Sequence, residues 1–138
     1  SSRRRHTRLL WVTGVLTCAL PIWASNLMFS QLTRYKSLSF WRSHPTLTFD
    51  TADQSYGTWT IFAVCHLPAS QASSFFAKEF VSRAAFTSFV REAQQNALYD
   101  TGIQAPENSR LLTLVTCDRS RYGKEGRLLV LAFCSSEL

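Results

Sequence analysis

Cys117 and Arg127 are the two residues whose types and spacing can do chemistry, ten positions apart in the stretch LLTLVTCDRSRYGKEGR over 111–127. An apolar run containing Leu111, Leu112, Leu114 and Val115 ends on Cys117, and nine polar or glycine-bearing residues lead to Arg127, which opens a second apolar run, Leu128 to Phe133. Such runs with turn residues between them predict two adjacent strands. Paired antiparallel, the strands set Cys117 beside Arg127. A thiol becomes a strong nucleophile next to a positive group, and a guanidinium that never deprotonates can also hold the oxyanion that the thiolate creates. Polar and basic residues follow Cys117 at once (Asp118, Arg119, Arg121), unlike Cys65 and Cys134, which lie in apolar runs and read as buried thiols. A Cys65–Cys134 disulfide stays open at this level, because sequence gives no Cα separation.

The elements that must position this pair are legible in outline. Met28, Phe29, Leu32 and Tyr35 are spaced for a short helix, and Ser37 or Ser39 can cap a second one that ends before Pro45. Thr46 to Asp50 alternates as a strand does, Thr51 to Gly57 is turn-like, and Thr58 to Leu67 predicts a central strand. Trp41, Phe49, Trp59 and Phe62 are expected in the core. Pro68 to Ser74 reads as a polar linker and Phe75 to Tyr99 as helical, with a break near Ser82. Phe86, Phe89, Val90, Ala93 and Ala97 make one apolar stripe there, opposite Arg91, Glu92, Gln94 and Gln95. Tyr99 to Gly102 carries turn chemistry. The residues by themselves support a mixed, strand-rich single domain with one prominent helix.

At 138 residues, 46% hydrophobic and 17% charged, the chain has the composition of a globular domain. Its formal charge of +6 suggests an acidic partner, but Arg3, Arg4, Arg5 and Arg8 lie in the first 22 positions, which hold no acid. The remainder carries eleven basic and nine acidic residues, a surplus of +2 that gives no nucleic-acid footprint. No CxxC or paired-histidine spacing supports a metal site, and no cofactor motif is present.

Residues 1–22, SSRRRHTRLLWVTGVLTCALPI, have the basic start and apolar continuation of a signal peptide or anchor. The apolar part is about fourteen residues, broken by Thr13, Gly14 and Thr17, short of the roughly 20 needed to span a bilayer. VTGVLTCALPI is nearly the translation of a common short-read sequencing adapter. Residues 1–22 are therefore expected to be a non-native segment, Cys18 with them, and native sequence to begin near Trp23 or Ala24.

The TLVTC string with an arginine ten residues on resembles the TLxTC…R signature of sortases, the cysteine transpeptidases of Gram-positive cell surfaces. LLTLVTCDRSRYGKEGRLLVLA, the segment MFSQLTRYKSLSFWRSHPTLTFDT and the long helical insert before the cysteine strand are most similar to class B members, over roughly Leu27 to Ala132. The resemblance implies a mostly β fold with helices, a sortase-like β-barrel incomplete at the N-terminus, with 23–138 as a partial catalytic domain. It implies Cys117 as nucleophile and Arg127 as donor to substrate or oxyanion, with Thr116 and Asp118 as candidates to line the substrate groove. The insert helix either shapes peptide specificity or only covers a barrel face.

The implied partners are a sorting-signal peptide of LPxTG or NPxTN type and an amine nucleophile, either a peptidoglycan cross-bridge or a pilin lysine. No cofactor and no nucleic acid are implied, and the parent protein is expected to be membrane-anchored at the extracellular face. In class B sortases the catalytic histidine precedes the Met-Phe pair, here Met28 and Phe29, by seven or eight residues. That place falls near Leu20 or Pro21, so the histidine is absent, and His6, His44 and His66 do not match its motif. The chain as written is expected to be inactive. Two alternatives remain open: a cysteine hydrolase of another lineage and a non-catalytic peptide-binding β-barrel.

Overall fold

The computed structural model describes residues 11–17, 30–51, 54–75, 78–80, 82–107 and 109–134. The apolar runs become strands β1 (Trp11–Thr17), β2 (Thr46–Thr51), β3 (Gln54–Pro68), β4 (Lys78–Glu79), β5 (Arg110–Cys117) and β6 (Gly126–Cys134). Four helices intervene: α1 (Leu38–Ser43), α2 (Ala69–Ala72), α3 (Arg83–Gln95) and α4 (Arg119–Tyr122), with 3-10 turns at Ser30–Lys36, Ser73–Phe75 and Gly123–Glu125. One sheet runs in the order β2-β3-β6-β5-β1-β4. Its neighbours are antiparallel except for β1 and β5, which are parallel.

Both faces of the sheet are buried, which explains why β5 and β6 read as nearly unbroken apolar runs rather than as alternating ones. Side chains alternate between faces along each strand. Phe62, Cys65, Leu111, Val115, Leu129 and Leu131 therefore meet Phe86, Phe89, Val90 and Ala93 of α3 on one side. Ile61, Val64, Leu112, Leu114, Leu128 and Val130 meet Leu32, Tyr35 and Trp41 on the other. Trp41, Trp59 and Phe62 are buried, as their sequence context predicts, while the Phe49 side chain lies outside the described set.

The helical insert is shorter than its composition suggests. Ser82 caps α3 by accepting from the Ala85 N–H, so the break expected there is the true start. Phe75 and Phe80 join the core from a 3-10 turn and an extended segment instead. Their rings pack edge-on against Phe89, centroids 5.4 and 5.2 Å away, so tertiary burial fixes this segment without a helix. The stretch expected as a linker contains α2, and the short helix expected from Met28 is a 3-10 turn from Ser30, with Met28 and Phe29 outside the described residues.

After α3 the chain returns along β3. Ala97 bridges Cys65, the Leu98 N–H donates to the Val64 carbonyl at 2.8 Å, and Thr101 Oγ1 donates to the Phe62 carbonyl at 2.8 Å. These contacts satisfy the backbone of β3 beyond the point where β2 ends. Among the described residues β2 and β4 are the end strands and nothing joins them, so the sheet is an open one. The residues of β1, set aside by the sequence reading, pair with β5 from Val12 opposite Leu111 to Thr17 opposite Thr116. A strand edge with unpaired N–H and C=O groups accepts an apolar β-branched segment whatever its origin.

Phe86, 1% exposed beneath α3, anchors the helix to the sheet. Phe86→Ala is expected to cost about 3–5 kcal/mol of unfolding free energy and Ser82→Ala about 1 kcal/mol, both read from urea denaturation.

Candidate active site

Cys117 and Arg127 lie directly opposite each other on β5 and β6. The next pair, Asp118 and Gly126, is joined by the Asp118 N–H donating to the Gly126 carbonyl at 3.1 Å. Hydrogen-bonded and non-hydrogen-bonded pairs alternate in an antiparallel ladder, so Cys117 and Arg127 form a pair of the closer kind, with Cα atoms about 4.5 Å apart. Alternation also puts both side chains on the α3 side of the sheet, in line with Val115 and Leu129. The sequence expectation that these two residues meet is thus realised in the strand register.

Gly126 is required for this closure. A Cβ at that position would run into the Asp118 carbonyl oxygen, a backbone atom that cannot swing aside. Arg127 is partly exposed, and its Nη1 donates to the Lys124 and Gly126 carbonyls, 3.0 Å each. One arm of the planar fork is thereby fixed against the loop. A guanidinium has five N–H donors, so the other arm retains donors for a substrate carbonyl or an oxyanion. Cys117 is half-buried and disulfide-bonded in this structure. Cys65 and Cys134 are not disulfide-bonded, and Arg110 Nη2 donates to the Cys134 sulfur at 3.7 Å. Cys65 pairs with Leu129 of β6, five residues or about 16 Å of strand from Cys134, well beyond disulfide reach. Burial pushes the Cys65 thiol up to about 12, and it donates to the Ala93 carbonyl.

Thr116 and Asp118, the groove candidates, are both buried. Thr116 points to the face opposite Cys117, beside Leu112 and Leu114. Asp118 caps α4: its Oδ1 accepts from the Ser120 N–H at 2.9 Å and from the Ser120 hydroxyl at 2.7 Å. Its Oδ2 lies 2.7 Å from Lys36 Nζ, which also donates to Ser120 Oγ at 3.1 Å. Burial pulls the carboxyl pKa upward, but the hydrogen bonds from Lys36 and Ser120 and the lysine charge outweigh it and hold the value below the ordinary range. Sequence reasoning missed this cluster. The Asp-x-Ser cap was visible as a pattern. Lys36, over eighty positions away, gave no signal.

Neither described histidine reaches the Cys117 side. His44 ends α1, its ring stacked on Phe40 at 4.2 Å. His66 is buried in β3 opposite Leu128, with Nε2 3.2 Å from the Asp118 carbonyl and its ring edge-on to Tyr122 at 5.3 Å. The position near Leu20 or Pro21 lies outside the described residues. Among the described residues no three His, Cys, Asp or Glu side chains gather to hold a metal ion.

The Lys36–Asp118 pair has a pH signature. Because the folded pKa is depressed, its stabilisation is fully present above the ordinary carboxyl value of 3.8 and is lost as pH falls through the lower folded value. Lys36→Met is therefore expected to lower unfolding free energy at pH 7 and to make little difference once Asp118 is protonated in both states, as read by urea titrations at several pH values.

No family model matches the chain. A curated relative, sortase B of Listeria monocytogenes, is 25% identical over 103 residues, which cover 75% of this chain and 41% of that protein. The chain thus spans about two fifths of the length of its curated relative. Among solved structures, the C232S form of Clostridium perfringens sortase B superposes with a TM-score of 0.72 at 21% identity, covering 91% of this chain and 56% of that one. A Staphylococcus aureus sortase B–substrate complex gives 0.71 at 20% identity, covering 88% and 54%. The sequence match and the superpositions agree with the signature around Cys117: the chain is similar in sequence to sortase B and has the sortase B fold.

Proposed function

We propose that the chain is the C-terminal part of a class B sortase, a cysteine transpeptidase that cleaves a sorting signal and joins it to an amine. The single observation that carries the reading is the register that sets Cys117 against Arg127 at the mouth of two buried strands. Support comes from the relatives, one of which was solved with its substrate and another with triglycine.

In the proposed reaction the Cys117 thiolate attacks the carbonyl carbon of the threonine in an LPxTG- or NPxTN-type peptide. The carbonyl electron pair moves to oxygen, where Arg127 donates. Collapse breaks the C–N bond, the leaving amine takes a proton from a histidine, and a thioester remains on Cys117. An incoming amine, from a peptidoglycan cross-bridge or a pilin lysine, attacks the thioester carbon and gives a proton back to that histidine, forming a new amide as the C–S bond breaks to return the thiolate. Asp118, locked by Lys36 and Ser120, positions the turn that follows Cys117 and is not assigned to the substrate.

The histidine is the part this chain lacks. We propose that residues 1–22 are non-native sequence and that the parent enzyme acts at the extracellular face of a Gram-positive membrane. No helix among the described residues is long and apolar enough to cross a membrane.

Incubation of reduced protein with a sorting peptide and a glycine-based amine tests the reading. The chain as written is expected to yield no product, and a chain restored with upstream coding sequence and its histidine motif to yield the transpeptidation product. In the restored enzyme Cys117→Ala is expected to abolish turnover and Arg127→Lys to lower kcat by about 10²–10³, since a point charge cannot replace a planar fork. Turnover by the chain as written, or near-normal rates for Arg127→Lys, would overturn the assignments. Release of acid with no amine product would favour a hydrolase.

A further inference from the structure

Outside residues 1–22 the chain holds eleven basic and nine acidic residues, and its surplus is not spread evenly. The ten positions 118–127 hold four basic residues, Arg119, Arg121, Lys124 and Arg127, against two acids, Asp118 and Glu125. The whole formal surplus of +2 therefore sits in the connection that follows Cys117 taken together with Arg127, and the rest of residues 23–138 nets to zero. Structure sharpens the asymmetry. Asp118 is buried and matched by Lys36 from outside the loop, so it does not offset the loop cations. Arg119, Arg121 and Lys124 are exposed, and the Arg121 guanidinium lies over the Tyr122 ring, 5.3 Å from its centroid, which restricts where that charge can be. Facing these cations from within the loop is the exposed carboxylate of Glu125.

From this placement we infer that the loop Arg119–Arg127 is an electrostatic docking surface for an acidic peptide, recognising carboxylates that flank the segment presented to Cys117. The inference rests on the proposed function only for the identity of the bond attacked, not for the charge preference. An excess of one charge in a surface turn raises the local concentration of oppositely charged reactants and steers their approach over about a Debye length. The cluster is confined to one turn next to the nucleophile, which fits a short acidic segment. A long polyanion such as a phosphate-bearing wall polymer would call for a basic track across the surface, and residues 23–138 outside this turn carry no net charge.

The test uses the reduced chain as it exists and needs no turnover. Cys117 is modified with an anionic sulfonate-bearing and a cationic ammonium-bearing methanethiosulfonate, and labelling at each cysteine is followed by peptide mapping. The anionic reagent is expected to react several-fold faster than the cationic one at Cys117, each rate being normalised to that of the same reagent with free cysteine. That preference should collapse in about 0.5 M salt and in Arg119→Ser/Arg121→Ser/Lys124→Ser, and persist in Arg42→Ser, which removes an exposed cation outside the loop. Equal rates for the two reagents, or a preference that survives the triple substitution, would overturn the inference.

A second arm identifies the partner. Peptidyl chloromethyl ketones lacking any sorting motif, with acidic or neutral flanks, are compared for inactivation of Cys117. Faster capture of the acidic one, lost in the triple variant, supports a peptide. Stronger protection of Cys117 by polyphosphate than by an acidic peptide of equal charge overturns that assignment in favour of a polyanion. Because no sorting motif is used, failure of the sortase reading would leave these outcomes unchanged.

Discussion

The register between β5 and β6 is the constraint on which the site depends. Side chains in a strand repeat every two residues, so a slip of one position would turn Cys117 away from Arg127 and send it to the opposite face. Two features hold the register at its critical end: the Asp118 N–H to Gly126 carbonyl bond and the absence of a side chain at Gly126, where the Asp118 carbonyl takes the space. The apolar pairs further along, Leu114 with Val130 and Leu112 with Ala132, bind the same register to the core. Chemistry at the strand ends is thus specified by packing along their length.

The turn after Cys117 is fixed from a distance. Lys36 closes the 3-10 turn Ser30–Lys36, whose Leu32 and Tyr35 are packed in one core, and its ammonium reaches Asp118 in the turn. Asp118 in turn caps α4 through Ser120 and receives His66 at its backbone carbonyl. A carboxylate buried with a lysine and a serine hydroxyl is satisfied only in one geometry, since its charge is costly to bury unpaired. The polar cluster therefore sets the shape of the backbone immediately following Cys117, while the opposite sheet face, under α3, is left to Cys117 and Arg127.

Much of this was legible in the chain itself. The runs around Cys117 and Arg127 are long, apolar and separated by turn residues, so both strands and their pairing follow from pattern, and the motif they carry resembles that of sortases. The extent of α3 was not legible. Phe75 and Phe80 carry helix-compatible spacing, yet burial against Phe89 and a serine cap at Ser82 decide where the helix begins. Lys36 could not be read as a partner of Asp118, because nothing local marks a contact made across most of the chain. The charge of the turn was written in the sequence as well, but its meaning appeared only when Asp118 proved to be matched from outside the loop.

The pH dependence of Cys117 alkylation, in the reduced chain and in Arg127→Met, tests most directly whether the guanidinium acts on the thiol. If the register serves chemistry, the midpoint for the wild-type thiol lies below the value of about 8.5 for a free cysteine and moves upward when Arg127 is replaced by an apolar side chain of similar length. Identical midpoints in the two proteins, at or above the free value, would contradict the account and reduce the Cys117–Arg127 pair to a structural neighbour relation.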